Sequence, residues 1–278
     1  MTPPNDPETD LQPVMLPQAW RRDFTATDGA DYRLLISVPA GPAPARGFPS
    51  MLLVDGHALF PITTVTADMQ SRRPEATSVG PAVIIGIGYP GERAFDAERR
   101  QQDLLPVPGG AGRFLDTIAE EILPAVEKIT PLDPARRALV GHSYGGLFTL
   151  NALFTRPGLF AAHVAGSPSI WWQDRAILPS EEAFRRGGAQ GGRLLITVGG
   201  MEQNPGLAVG PRRAERLAMA RMRDNAAEMA ARLEASGRVA CSFVEFAGEN
   251  HVSVIPPMLA RAVAFALAGT AQDEVAAA

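Results

Sequence analysis

Cysteine occurs once in the 278 residues, at Cys241, so the chain can form no internal disulfide and no cysteine-based metal cluster. Lysine is as scarce. Lys128 stands alone, every other basic residue is arginine, and a formal charge of -4 lacks the clustered basic excess that replaces counterions on nucleic acid. No nucleic-acid partner is expected, and the arginine bias reads first as coding preference and second as a supply of fork-shaped donors for anions. No apolar run approaches the roughly eighteen residues of a membrane span, and the opening MTPPNDPETD has neither the basic nor the apolar segment of a secretory signal. These absences predict a chain with no membrane partner, placed in the cytoplasm.

The length is enough for one large core, and a single domain of this size buries roughly 70 to 75% of its unfolded surface. Residues 1–18, rich in Pro, Asp and Thr, read as a flexible lead-in, 19–270 as one domain, and 271–278 as a frayed tail. Two strands are expected at 22–27 and 32–38 around the turn signal Asp28-Gly29, followed by a Pro/Gly loop at 41–46. Short apolar runs then recur at 51–54, 82–87, 138–140, 161–165, 194–198 and 240–246, as suits strands covered on both faces.

Helical stretches separate the runs. Phe114, Ile118, Ile122 and Val126 repeat at helical spacing, a second helix is predicted over 212–236 with Gly237 as its cap, and a last over 256–268. The alternation predicts an α/β fold: a mostly parallel central sheet with antiparallel N-terminal strands and helices on both faces. Segments 169–192 and 201–211 fit it poorly. Both follow strand ends, where ligand sites form in open sheets, and both are expected to be lid-like insertions.

Gly141-His142-Ser143-Tyr144-Gly145 lies directly between the run 138–140 and a helical pattern over 146–155. A turn this tight from strand to helix admits only small residues two positions either side of the serine, and it lifts the hydroxyl above the sheet. Serine is a poor nucleophile unless a base takes its proton, and the base must itself be oriented. The chain has four histidines. His57 follows an early strand, His142 sits inside the turn, and His163 lies in an apolar run. Only His251 follows the last predicted strand, where this architecture carries its base. The orienting acid is expected at Glu202, four residues after Val198, with Glu249, Asp174 and Asp103, or a serine–histidine dyad, as alternatives. An oxyanion would be held by the amide of Tyr144 and by the early loop at Gly56 and His57.

The segment 86–91, GIGYPG, matches a dinucleotide-binding fingerprint, but Pro90 removes an amide where phosphate needs donors and the following residues are polar. It reads as a turn. No residues have the spacing of a catalytic metal site, and no cofactor is expected.

Several segments resemble one family: VDGHALF at 54–60, IGIGYP at 85–90, RRQQDLLP at 99–106, GHSYGGLF at 141–148, SPSIWW at 167–172, GGMEQ at 199–203 and ENH at 249–251. Together they resemble the siderophore esterases of the enterobactin, salmochelin and bacillibactin type, within the esterase D group of α/β hydrolases. The resemblance implies the α/β-hydrolase fold and a serine carboxylic-ester hydrolase acting on a small-molecule ester, with any iron arriving as substrate cargo. It places nucleophile, base and acid on Ser143, His251 and Glu202, the oxyanion loop near Gly56 and His57, and Arg100 near anionic substrate atoms. Trp171 and Trp172 are expected either to wall the substrate pocket or to belong to the core. Two alternatives stand beside this reading: a thioesterase or acyltransferase of the same group, and a non-catalytic ligand-binding protein on a hydrolase fold.

Overall fold

Eight strands make one sheet in the order β1-β2-β4-β3-β5-β6-β7-β8. The computed structural model describes residues 14–16, 18–205 and 209–269. Along the chain the elements are β1 (Ala19–Thr25), β2 (Asp31–Ser37), β3 (Phe48–Val54), α1 (Gly56–Ser71), α2 (Pro74–Thr77), β4 (Val83–Gly88), α3 (Ala97–Leu104) and α4 (Ala111–Thr117). A π-type turn (Ile118–Ile122) leads into α5 (Leu123–Glu127), then β5 (Leu132–His142), α6 (Tyr144–Thr155), β6 (Ala162–Gly166), α7 (Trp172–Arg175) and α8 (Leu178–Arg186). The chain continues with β7 (Arg193–Gly199), α9 (Pro211–Ala220), α10 (Met222–Ser236), β8 (Ala240–Phe246) and α11 (Ile255–Ala266). The expected lead-in at 1–18 and tail at 271–278 lie almost wholly outside the described residues.

β1 and β2 pair antiparallel, β2 joins β4 antiparallel, and every pairing from β4 onward is parallel. The predicted sheet with antiparallel N-terminal strands is thus the observed one. Strand period decides the layers. In β3, Met51 and Leu53 point into a cluster with Met258 and Leu259 of α11, while Leu52 and Val54 point into one with Phe114 and Phe148. A strand covered on both faces has no polar position to spare, so β3 and β4 are buried throughout. Helices α1 and α11 cover one face; α4 to α6, α8 and α10 cover the other.

Two helical expectations are corrected. The stretch predicted as one helix over 212–236 is broken at Arg221, which adopts a left-handed conformation (φ 45°, ψ 41°) between α9 and α10. The two halves have different tasks. Met222, Ala226, Met229 and Leu233 bury one face of α10 in the core, whereas no residue of α9 is buried. Propensity favours helix on both sides of the break, so composition gave no sign of it. The stretch from Phe114 to Val126 is interrupted by the π-type turn instead of being continuously α-helical. Its four apolar residues recur every fourth position, which on an α-helix drifts by about 40° per step. A wider turn recovers part of that drift, and all four side chains are buried.

Segment 169–192 packs into the core through Ile170, Ile177 and Phe184, and residues 206–208 of the expected insertion at 201–211 lie outside the described residues. Among the described residues no helix is long and apolar enough to cross a membrane.

Candidate active site

Ser143 is the single residue between β5 and α6, at φ 62° and ψ -115°. A residue with a Cβ pays about 1 to 3 kcal/mol for such a conformation, so the surroundings must hold it. They do so with three backbone hydrogen bonds: Ser143 N–H to Gly166 O (2.9 Å), Leu147 N–H to Ser143 O (3.0 Å) and Ser169 N–H to Ser143 O (3.1 Å). The flanking glycines are required by close approach. A Cβ on Gly141 would run into the backbone of Gly145, and one on Gly145 would lie 2.7 Å from Val54 Cγ2.

His251 comes from the turn after β8. Asn250 Oδ1 accepts from the amides of Val252 (2.9 Å) and Ser253 (3.1 Å), and Ser253 Oγ accepts from the Asn250 amide (3.0 Å), which shapes this turn. The ring is carried over the strand ends until Nε2 lies 3.0 Å from Ser143 Oγ. On its other side Nδ1 lies 2.5 Å from Glu202 Oε2. Glu202 is buried, and its second oxygen accepts from Ser167 Oγ–H at 2.5 Å and from the Gly199 amide at 2.6 Å. The structure therefore joins hydroxyl, imidazole and carboxylate in series, the arrangement that can take a proton from Oγ and stabilise the resulting imidazolium. Of the alternative acids, Asp103 is engaged by Arg99 and Arg113.

The ring of His142 lies tilted beside that of His251, with centroids 4.6 Å apart. Burial, helped by the charges of His251 and Arg100, pushes His142 down to about 3, so it stays neutral at ordinary pH. His163, away from this pair, is buried in β6 and pushed down to about 4 by that burial.

Tyr144 opens α6, and Gly56 and His57 open α1, so their amides lack an acceptor within their own helices. The start of α1 sits against the serine turn: Asp55, left-handed at φ 57°, places Oδ2 3.3 Å from where a Gly145 Cβ would stand. The His57 side chain turns the other way, toward β4, where a Cβ on Gly88 would meet its ring at 2.5 Å. Burial, with Arg33 adding to it, holds His57 below its ordinary pKa. This packing also explains the GIGYPG decoy, whose first two glycines leave room for Phe60 and His57 of α1.

A cavity of about 680 Å³ opens over these groups. Ser143, Tyr144, Glu202, His251, Ser169 and Trp171 line it together with Arg213, Arg216 and Leu217 of α9. Trp172 is not among the lining residues and packs against the core cluster of Leu147 and Ile177. Arg100 does not line the cavity either. Its Nε donates to Asp55 Oδ1 at 2.8 Å and its Nη2 to the His142 carbonyl at 3.3 Å, with the Phe95 and Tyr144 rings against the guanidinium. Ser167 and Ser169, beside the triad groups, and Arg213 and Arg216, on the cavity lining, join the residues expected from the sequence. The two serines were visible as Ser-Pro-Ser after a strand, but nothing distinguishes two arginines in a chain whose cations are almost all arginine.

A parallel sheet in this strand order, with a serine on a strand-to-helix turn and a histidine after the last strand, defines an α/β hydrolase. The family model described as "Putative esterase" matches residues 25–233, and the chain belongs to that family of esterases. It is similar to the ferri-bacillibactin esterase BesA of Bacillus subtilis, 35% identical over 85% of this chain and 84% of the relative. It is also similar to the siderophore triacetylfusarinine C esterase of Aspergillus fumigatus, 36% identical over 90% of this chain and 93% of the relative. Among solved structures, the siderophore hydrolase EstB from Aspergillus nidulans superposes with a TM-score of 0.82 at 34% identity, covering 93% of this chain and 97% of that one.

Proposed function

We propose that this esterase hydrolyses ester bonds of siderophores by two-step acyl transfer, with Ser143 as nucleophile, His251 as general base and Glu202 as the carboxylate that orients it. The observation that carries the mechanism is the unbroken series Ser143 Oγ, His251, Glu202 on the wall of the cavity of about 680 Å³. His251 Nε2 takes the proton as Oγ attacks the ester carbonyl, and returns it to the departing alcohol oxygen. The first-turn amides of α6 and α1, at Tyr144 and at Gly56 or His57, hold the oxyanion; losing one such donor costs about 3 to 4 kcal/mol of transition-state stabilisation. Water, activated by the same histidine, then releases the acyl group. The substrate class rests on the relatives, whose names give siderophore esters. Bound iron in such a substrate is cargo.

The test is hydrolysis of a ferric siderophore trilactone and of a short-chain p-nitrophenyl ester by wild type, Ser143→Ala and His251→Ala, followed by chromatography and absorbance. Both variants should remain folded and fall by at least about a thousandfold in kcat. A fluorophosphonate probe should label Ser143 and no other residue by peptide mass spectrometry. Failure of wild type to react with the probe or either ester would sink the proposal.

A further inference from the structure

The cavity that Ser143 lines also carries two cations without counter-charges. Arg213 and Arg216 are three residues apart on α9, on one face of the helix, and both line the cavity. Among the described residues neither side chain has an ion-pair or hydrogen-bond partner. Arg212, next to them on α9, is likewise unpaired among the described residues, whereas three arginines beyond α9 are engaged. Arg221 pairs with Asp224 and Glu228, Arg223 with Glu245, and Arg232 with Glu181. The pair does nothing for its own helix: like charges at this spacing repel, and Arg213 lies in the first turn of α9, where the helix dipole disfavours a cation. The one carboxylate on the lining, Glu202, is already engaged by His251, Ser167 and Gly199. Trp171, Leu217, Met219, Ala220 and Met222 give the lining its apolar part.

We infer that Arg213 and Arg216 are specificity residues that select esters whose non-reacting part is apolar or aromatic and bears an anionic group. The inference rests on the esterase reading of Ser143 and deepens it by naming the charge of the substrate. An anion entering between Ser143 and α9 meets two guanidiniums that present fork-shaped donors and have no internal partner to give up. A neutral ester gains nothing from them.

The test uses p-nitrophenyl esters of succinic, glutaric and adipic acid, each beside its methyl-capped neutral twin, so that only charge and reach differ. For wild type, kcat/KM should favour the anionic member of at least one pair, and added salt should shrink that preference. In Arg213→Gln/Arg216→Gln the preference should fall about tenfold, chiefly through KM, as loss of charge-assisted contacts predicts. Arg213→Glu/Arg216→Glu should turn it toward the neutral twin, while Glu215→Gln, on the same helix outside the cavity, should leave it where it was. The inference is overturned if both double variants keep the wild-type ratio while hydrolysing the neutral esters, a result that leaves the Ser143 mechanism standing. If wild type hydrolyses neither twin and Ser143 resists the fluorophosphonate, the proposed function fails and the inference falls with it.

Discussion

Arg100 Nε lies 2.8 Å from Asp55 Oδ1, tying α3 to the turn that opens α1, while the same guanidinium reaches the carbonyl of His142 at 3.3 Å. One side chain thus braces the turn that opens α1 and the end of β5 beside Ser143. Asp55 is fully buried, its Oδ2 has no partner, and burial raises its pKa to about 6 against the pull of Arg100. Its folded-state value exceeds the unfolded one, so protonation favours the fold as pH drops through 6, and the carboxylate is a liability above it. Arg100→Met should therefore cost about 3 to 5 kcal/mol at pH 8, where a charged Asp55 is left unpaired, and clearly less at pH 5. Urea unfolding at the two pH values measures both; an equal loss at each would contradict this account.

Ser167 holds the oxygen of Glu202 that faces away from His251. Its removal should act through orientation: Ser167→Ala is expected to lower kcat about tenfold with KM little changed. Glu202→Gln removes the charge as well and should cost about 10³ to 10⁴ in kcat. A Ser167→Ala enzyme with unaltered kcat would show that the Gly199 amide alone suffices.

His142 and His163 are both buried and pushed down, to about 3 and about 4. The unfolded chain takes up protons at these positions below about 6.5, and the folded chain does not, so stability should fall as pH drops from 6.5 toward 4. His163 by itself accounts for a loss on the order of 3 kcal/mol across that window. His163→Leu should flatten the curve in thermal or urea unfolding, and an unchanged slope would assign the acid sensitivity elsewhere.

Gly145 is where the serine turn meets β3. Gly145→Ala sets a methyl 2.7 Å from Val54 Cγ2 and should destabilise by about 1 to 3 kcal/mol while depressing activity. Val54→Ala opens the space, so the double variant should recover part of the loss that the two single changes sum to. Strict additivity in a double-mutant cycle would show that the contact is not the cause.

The apolar runs, the serine turn and the histidine after the last run were legible in the sequence because each is a local pattern: a strand buried on both faces must be apolar throughout, and a turn as tight as that at Ser143 needs glycine on both sides. Those patterns determined the sheet, its antiparallel start, and the choice of Ser143 and His251. Tertiary structure decided the rest. Glu202 was singled out from four acids only when the ends of β7 and β8 came side by side and its carboxylate met Nδ1 of His251. Arg100, Trp172 and the His57 ring were drawn into packing and ion pairing, away from the cavity, by neighbours distant in the chain. The break at Arg221 followed no propensity: α10 had a core face to bury and α9 had none. That left α9 free to turn Arg213 and Arg216 toward the cavity, a placement set by long-range packing and written in no local run of residues.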